Sequence, residues 1–161
     1  MAVDGNPWQE LGLSKAGLSR FLKRAREAVG VAGVVHVLLA DDATLKRLNR
    51  TFRGKNKATD VLSFPAAASD VFFADPDEPE LAGDLAISLE TAAKQAERYS
   101  HTLADEVKVL LLHGLLHLAG FDHEVDSGEM AERELQLRQR LKLPTSLIAR
   151  VGVKSARRVN A

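Results

Sequence analysis

Three of the five histidines in this chain fall in the eleven residues HGLLHLAGFDH, 113–123, among leucines that otherwise look like core. Val109, Leu110, Leu111, Leu112, Leu115, Leu116 and Leu118 leave no polar stripe, so a helix here belongs in the interior. His113 and His117 go inside with it. Burying an imidazole whose nitrogens find no partner costs about 1 to 3 kcal/mol, so two such rings need something to satisfy them. Residues four apart on a helix stand about 40° apart around the axis and one turn apart along it, which lets both rings converge on one point. A zinc ion, about 2.0 to 2.1 Å from each nitrogen, is such a point. Gly120 then turns the chain, and His123 arrives as a third ligand. The pattern H-x3-H-x2-G-x2-H predicts one Zn2+ per chain, held by His113, His117 and His123. Three neutral imidazoles leave a coordination position open and both charges of the ion uncompensated, which suits an anionic substrate or a hydroxide.

The same spacing occurs in the metzincin proteases, H-E-x-x-H-x-x-G-x-x-H, where the glutamate takes a proton from zinc-bound water. Gly114 stands in that place here and has no side chain to do so, so a protease would lack its base. A glycine inside a helix costs about 1 kcal/mol relative to alanine, which points to a close approach of backbone or substrate beside the metal. Histidines bonded only to neighbouring carbonyls would account for one such residue better than for three at this spacing. A metal that merely fixes the fold is usually closed by four protein ligands, commonly thiolates, and the chain has no cysteine. No general base is evident. Asp122 and Glu124 flank His123 and Asp84 opens a strand; each suits orienting a ligand imidazole better than catalysis. His36 and His101 are assigned no role.

A second constellation is LNRTFRGKNKATDVLSFP, residues 48–65. Lys46, Arg47, Arg50, Arg53, Lys55 and Lys57 place six cations in twelve residues, with no acid from 45 through 59. For Lys46, Arg47 and Arg50 the solvated face of a helix is explanation enough. Arg53 differs, because it follows Phe52 at the helix end and precedes Gly54 at the mouth of a loop, where an arginine can reach a phosphate. Such a cluster grips a nucleic-acid backbone without reading bases. Aromatic residues make up only 5% of the chain, which argues against extensive base stacking.

The elements that must hold these groups follow from periodicity. Residues 14–29 repeat apolar positions at helical spacing, and VVHVLLA, 34–40, is rich in β-branched residues and suits a strand. Asp41 or Asp42 caps a helix through Leu45, Leu48 and Phe52. Asp60 to Phe64 form a second, central strand ended by Pro65, and an acidic, proline-broken loop occupies 66–82. GDLAISL, 83–89, is another strand, followed by a helix over 90–99. Thr102 and Asp105 form a capping box for the histidine helix, and Asp126 with Glu129 opens a last helix to about Leu141. Residues 144–161 read as a basic tail. At 161 residues, with 22 basic and 22 acidic side chains, the expectation is one domain, 1–161, with helices packed on a small mixed sheet. The opening MAVDGNPWQELG lacks a secretory pattern, and no apolar run approaches the roughly 18 residues of a membrane span, so a cytoplasmic protein off the membrane is expected.

HGLLHLAGFDH, LNRTFRGKNKATDVLSFP and GDLAIS, in ordered succession over 34–123, closely resemble the YbeY family of metal-dependent endoribonucleases. The resemblance implies an α+β fold, zinc on His113, His117 and His123, and a functional role for Arg53. It also implies single-strand-specific cutting of an rRNA precursor at the small-subunit 3′ end, ribosome quality control, and the ribosome or its small subunit as partner. Asn56 and Ala58 stand where the family often has Asp and Pro. The working mechanism is hydrolysis of an RNA phosphodiester, with the metal polarising a phosphoryl oxygen or ionising water and Arg53 offsetting transition-state charge. The alternatives are a non-catalytic, metal-stabilised ribosome-assembly factor and a zinc peptidase without its usual glutamate.

Overall fold

Among the described residues, four of the five helices begin where the sequence supplies a side-chain oxygen for the free amides of a first turn. A computed structural model describes residues 2–3, 12–66, 81–122 and 125–144. The elements in chain order are β1 (Ala2–Val3), α1 (Lys15–Val29), β2 (Val34–Ala40), α2 (Asp42–Arg53), β3 (Val61–Pro65), β4 (Leu81–Ser88), α3 (Leu89–Arg98), α4 (Leu103–Leu118) and α5 (Glu129–Arg140). Ser14, Asp41, Ser88 and Thr102 cap α1 to α4, each accepting from the amide three residues on. At α5 the expected cap is displaced. The N-cap is Gly128, and the Asp126 carboxylate, two residues earlier, accepts from the Gly128 and Met130 amides at 2.9 Å each. Residues 67–80, His123, Glu124 and the basic stretch 145–161 lie outside the described residues.

The strands form one mixed sheet in the order β1-β2-β4-β3, with β2 parallel to both β1 and β4, and β3 antiparallel to β4. Val37 pairs with Leu85, Leu39 with Ile87 and Val61 with Ile87, and these side chains join α1 and α4 in the main core. On the opposite face Ala40, Leu62 and Ala86 pack against Leu45 and Leu48 of α2. The architecture is the expected α+β arrangement of helices around a small mixed sheet.

One placement differs from expectation: among the described residues β3 ends the strand order instead of lying in the centre. Val61, Leu62 and Ser63 are all fully buried because α4 covers one face of the strand and α2 the other. An edge strand covered on both faces has the continuous apolar pattern of a central one.

α4 is interior, as its all-round apolarity requires. Every residue from 109 to 117 is buried, and β3, β4, α1, α3 and α5 pack around it. Its end is closed by Gly120 at φ +99°, where the Gly120 amide donates to the His117 carbonyl and the Phe121 amide to that of Leu116. This paired closure satisfies the last carbonyls and needs a left-handed residue, so glycine is used. No helix among the described residues is long and apolar enough to cross a membrane.

Candidate active site

Helical spacing brings His113 and His117 together as predicted. Their rings meet edge to face with centroids 4.8 Å apart, and the two Nε2 atoms face each other at 3.1 Å. Both residues are buried, at 0% and 6% exposure. Two nitrogens bound tetrahedrally to one zinc ion would stand about 3.3 Å apart, given bonds of about 2.0 to 2.1 Å. The observed 3.1 Å is the length of a hydrogen bond between the two ring nitrogens and is close to that ligand spacing. The third expected ligand, His123, lies outside the described residues, and among those residues no group of three potential ligand side chains gathers.

Behind His113 stands a carboxylate that the sequence analysis did not identify. His113 Nδ1 donates to Glu134 Oε1 at 2.7 Å, and Glu134 Oε2 accepts from Arg138 Nη2 at 2.6 Å. Glu134 is 1% exposed and Arg138 fully buried. A proton held on Nδ1 leaves the Nε2 lone pair directed at His117, the tautomer that a metal ligand needs. The missed signal lay in α5. Met130, Glu134, Leu137, Arg138 and Leu141 share one helical stripe, so an acid and a base interrupt an otherwise apolar face at i, i+4 spacing. Asp84, considered for such an orienting role, instead bonds His36 Nδ1 at 3.2 Å in the open. His101 Nε2 donates to Glu106 Oε1 at 2.7 Å, about two helical turns from His113.

Gly114 does mark a close approach, but of the sheet and not of substrate or metal. A Cβ built there would stand 2.8 Å from Leu85 Cδ2 and 3.4 Å from Ser63 Oγ, and the Ser63 hydroxyl donates to the Gly114 carbonyl at 3.3 Å. Position 114 is about 100° around the helix from 113, so the histidines face α5 while the glycine faces β3 and β4.

Arg53 ends α2, whose last turn carries Arg50 and Arg53 against the negative end of the helix dipole. It lines a cleft of about 820 Å³ on the α2 side of the sheet, together with Phe52, Phe64, His36 and Asp84. The lining includes Ser63 and Leu85, which touch α4 from the sheet's other face, but neither His113 nor His117. Arg53 Nη1 is buried without a hydrogen-bond partner among the described residues. A buried cationic donor left unpaired is costly, and an anion in the cleft would satisfy it.

Residues 12–142, spanning every element from α1 to α5, match the family described as Endoribonuclease YbeY. The chain belongs to the YbeY endoribonuclease family. Among its relatives, the Endoribonuclease YbeY of Koribacter versatilis is 51% identical over 139 residues, covering 86% of this chain and 85% of the relative. That of Solibacter usitatus is 45% identical over 139 residues, covering 86% and 87%. The solution structure of a Thermotoga maritima protein matches with a TM-score of 0.56 at 26% identity, over 87% of each chain. The resemblance seen in the three motifs is borne out, and with it the activity class: a nuclease acting on RNA.

Proposed function

We propose that the chain is a zinc-dependent, single-strand-specific endoribonuclease acting on an rRNA precursor at the small-subunit 3′ end and in ribosome quality control. It would work in the cytoplasm as one domain, 1–161. The observation that carries the metal assignment is the 3.1 Å approach of the His113 and His117 Nε2 atoms, with Glu134 holding the far side of His113. In this proposal His123 completes the ligand set, one zinc ion per chain. When bound, the ion supplies Lewis acidity to a phosphodiester oxygen or to the attacking oxygen.

The chain's own groups do the remaining work. Glu134 retains the proton of His113 Nδ1, so the ring neither flips nor loses its ligand tautomer. Arg53 grips an RNA phosphate with Nη1 from the cleft on the α2 face of the sheet and so holds the strand. Gly114 faces Leu85 and Ser63, which removes the position from which a peptidase of this spacing takes its base. Hydrolysis of RNA is therefore favoured over hydrolysis of peptides.

The test is metal analysis of purified protein beside cleavage of an rRNA precursor and of casein, for wild type, Arg53→Ala and His117→Ala. Wild type should carry one zinc ion and cut only RNA. His117→Ala should lose both metal and cutting, and Arg53→Ala should keep the metal and lose cutting. RNA cutting that survives His117→Ala in a nuclease-free preparation would overturn the proposal. Full cellular function in Arg53→Ala would leave only a structural, assembly role.

A further inference from the structure

The cleft on the α2 face has a second feature beside Arg53. Phe52 is 66% exposed, a large ring left open to water on a wall of that cleft. It packs edge to face with Phe64, with centroids 5.5 Å apart at an interplanar angle of 65°, so Phe64 braces a ring that is still two-thirds exposed. Leu38, Leu48 and Ala86 form the apolar floor, and the paired His36 and Asp84 are polar groups within the same lining. At about 820 Å³ the cleft has the size of a small-ligand site.

Charge decides among occupants. Lys46, Arg47, Arg50, Lys55 and Lys57 are exposed on α2 and the loop after it, with no acid from 45 through 59, and Arg53 Nη1 is a buried donor awaiting an anion. A flat ring to stack upon, hydrogen-bonding groups at its periphery and an unsatisfied guanidinium suit a nucleotide, whose base has apolar faces and polar edges and whose phosphate is anionic. We propose that this cleft is a nucleotide subsite, in which one unpaired base of the RNA stacks on Phe52 while its phosphate is held by Arg53. The proposal rests on the endoribonuclease assignment for the identity of its ligand, and it gives single-strand preference a physical cause. In an A-form duplex the base faces are occupied by neighbouring bases, so only a splayed nucleotide offers one to Phe52.

The experiment uses the full chain, metal-loaded, and a short single-stranded oligoribonucleotide carrying 2-aminopurine, mixed by stopped flow so that binding is read before cutting. Stacking on Phe52 should quench the fluorophore. Phe52→Leu, which keeps an apolar side chain at an exposed position, should weaken the quench and raise Kd and KM about fivefold to tenfold, at the low end for base stacking because the ring is open to solvent. Phe52→Trp should restore both. A strand with one abasic nucleotide at the stacked position should bind wild type as weakly as the intact strand binds Phe52→Leu. Wild type that cuts no RNA would sink the enzyme assignment and this subsite together. Wild type that cuts RNA while Phe52→Leu quenches and binds like wild type would sink the subsite alone, as would a cleft occupied by a protein segment.

Discussion

Replacing Glu134 with alanine removes two contacts at once, the acceptor for His113 Nδ1 at 2.7 Å and the partner of Arg138 at 2.6 Å. Both charged side chains are buried, so truncating one takes an ion-pair partner from the other in a medium that solvates it poorly. Breaking a buried pair this way costs about 3 to 5 kcal/mol. For a chain of this size that is a fall in melting temperature of roughly 6 to 20 °C, measured in chelator so that metal binding does not contribute. Such a loss alone does not show that the carboxylate serves the metal.

The discriminating variant is Glu134→Leu with Arg138→Met, which removes both charges at similar volume. Replacing a buried pair by apolar residues is often neutral or stabilising, so the apo protein should melt close to wild type. Its zinc affinity should nevertheless fall about 10- to 100-fold, because the carboxylate that holds the His113 tautomer is gone. Competition titration against a chromophoric chelator measures this directly. Nitrogen chemical shifts of His113 should pass from a protonated Nδ1 to a mixture of tautomers. Glu134→Gln with Arg138→Met keeps an oxygen for the Nδ1 proton and should recover most of the affinity. If the Leu/Met variant binds zinc as tightly as wild type, the carboxylate does not orient the ligand and the geometric reasoning is wrong.

Three further outcomes are expected. Gly114→Ala should cost about 1 kcal/mol net in apo melts, overpacking against Leu85 outweighing the gain in helix propensity. Leu85→Ala should relieve that clash, so the two substitutions should be non-additive; strict additivity in a double-mutant cycle would refute the assigned contact. The Thr44 side-chain and backbone hydrogen bonds hold the Asp41 carboxyl below its ordinary value, so its contribution to stability is present above that value and is lost as pH falls through the lowered one. Asp41→Asn, which caps without titrating, should melt below wild type at neutral pH and close the gap by about pH 2; an unchanged gap would refute the cap's charge dependence. Asp126→Ala should lower the apo melting temperature by about 2 to 4 °C through loss of the α5 amide acceptor, and Asp126→Asn should not; equal melts for Ala and wild type would refute its capping role.

Much of the frame was legible because local rules and tertiary packing agree here. Asp41, one of two candidates, and Thr102 cap their helices as read from the sequence, and the seven residues of β2 follow from β-branched content alone. His113 and His117 were legible because i, i+4 spacing on an apolar helix fixes their relation without knowledge of neighbours. Glu134 was not, since its partner is 21 positions away on another helix and α5 is polar enough that a buried acid passes for a surface one. The edge position of β3 was hidden for the opposite reason: two helices cover it, and burial rather than strand order sets composition. Asp126 was named correctly but in the wrong place, because Gly128 takes the N-cap and the carboxylate reaches over it.

The glycine at 114 joins the two halves of the proposed site. α4 must approach the sheet closely enough for Leu85 to lie against its backbone, and that contact turns the 113/117 flank toward α5, where Glu134 waits. A larger residue at 114 would push the helix off β3 and β4, whose Ser63 and Leu85 also line the cleft that holds Arg53 and Phe52. Under the proposed function, the absent side chain sets the distance between the histidine pair on one face of the sheet and the Arg53 cleft on the other. This explains why the protease-like spacing survives without the protease's base. The histidine pair needs the helix geometry, the Arg53 cleft needs the sheet behind it, and the residue between them sits tight against the Leu85 side chain.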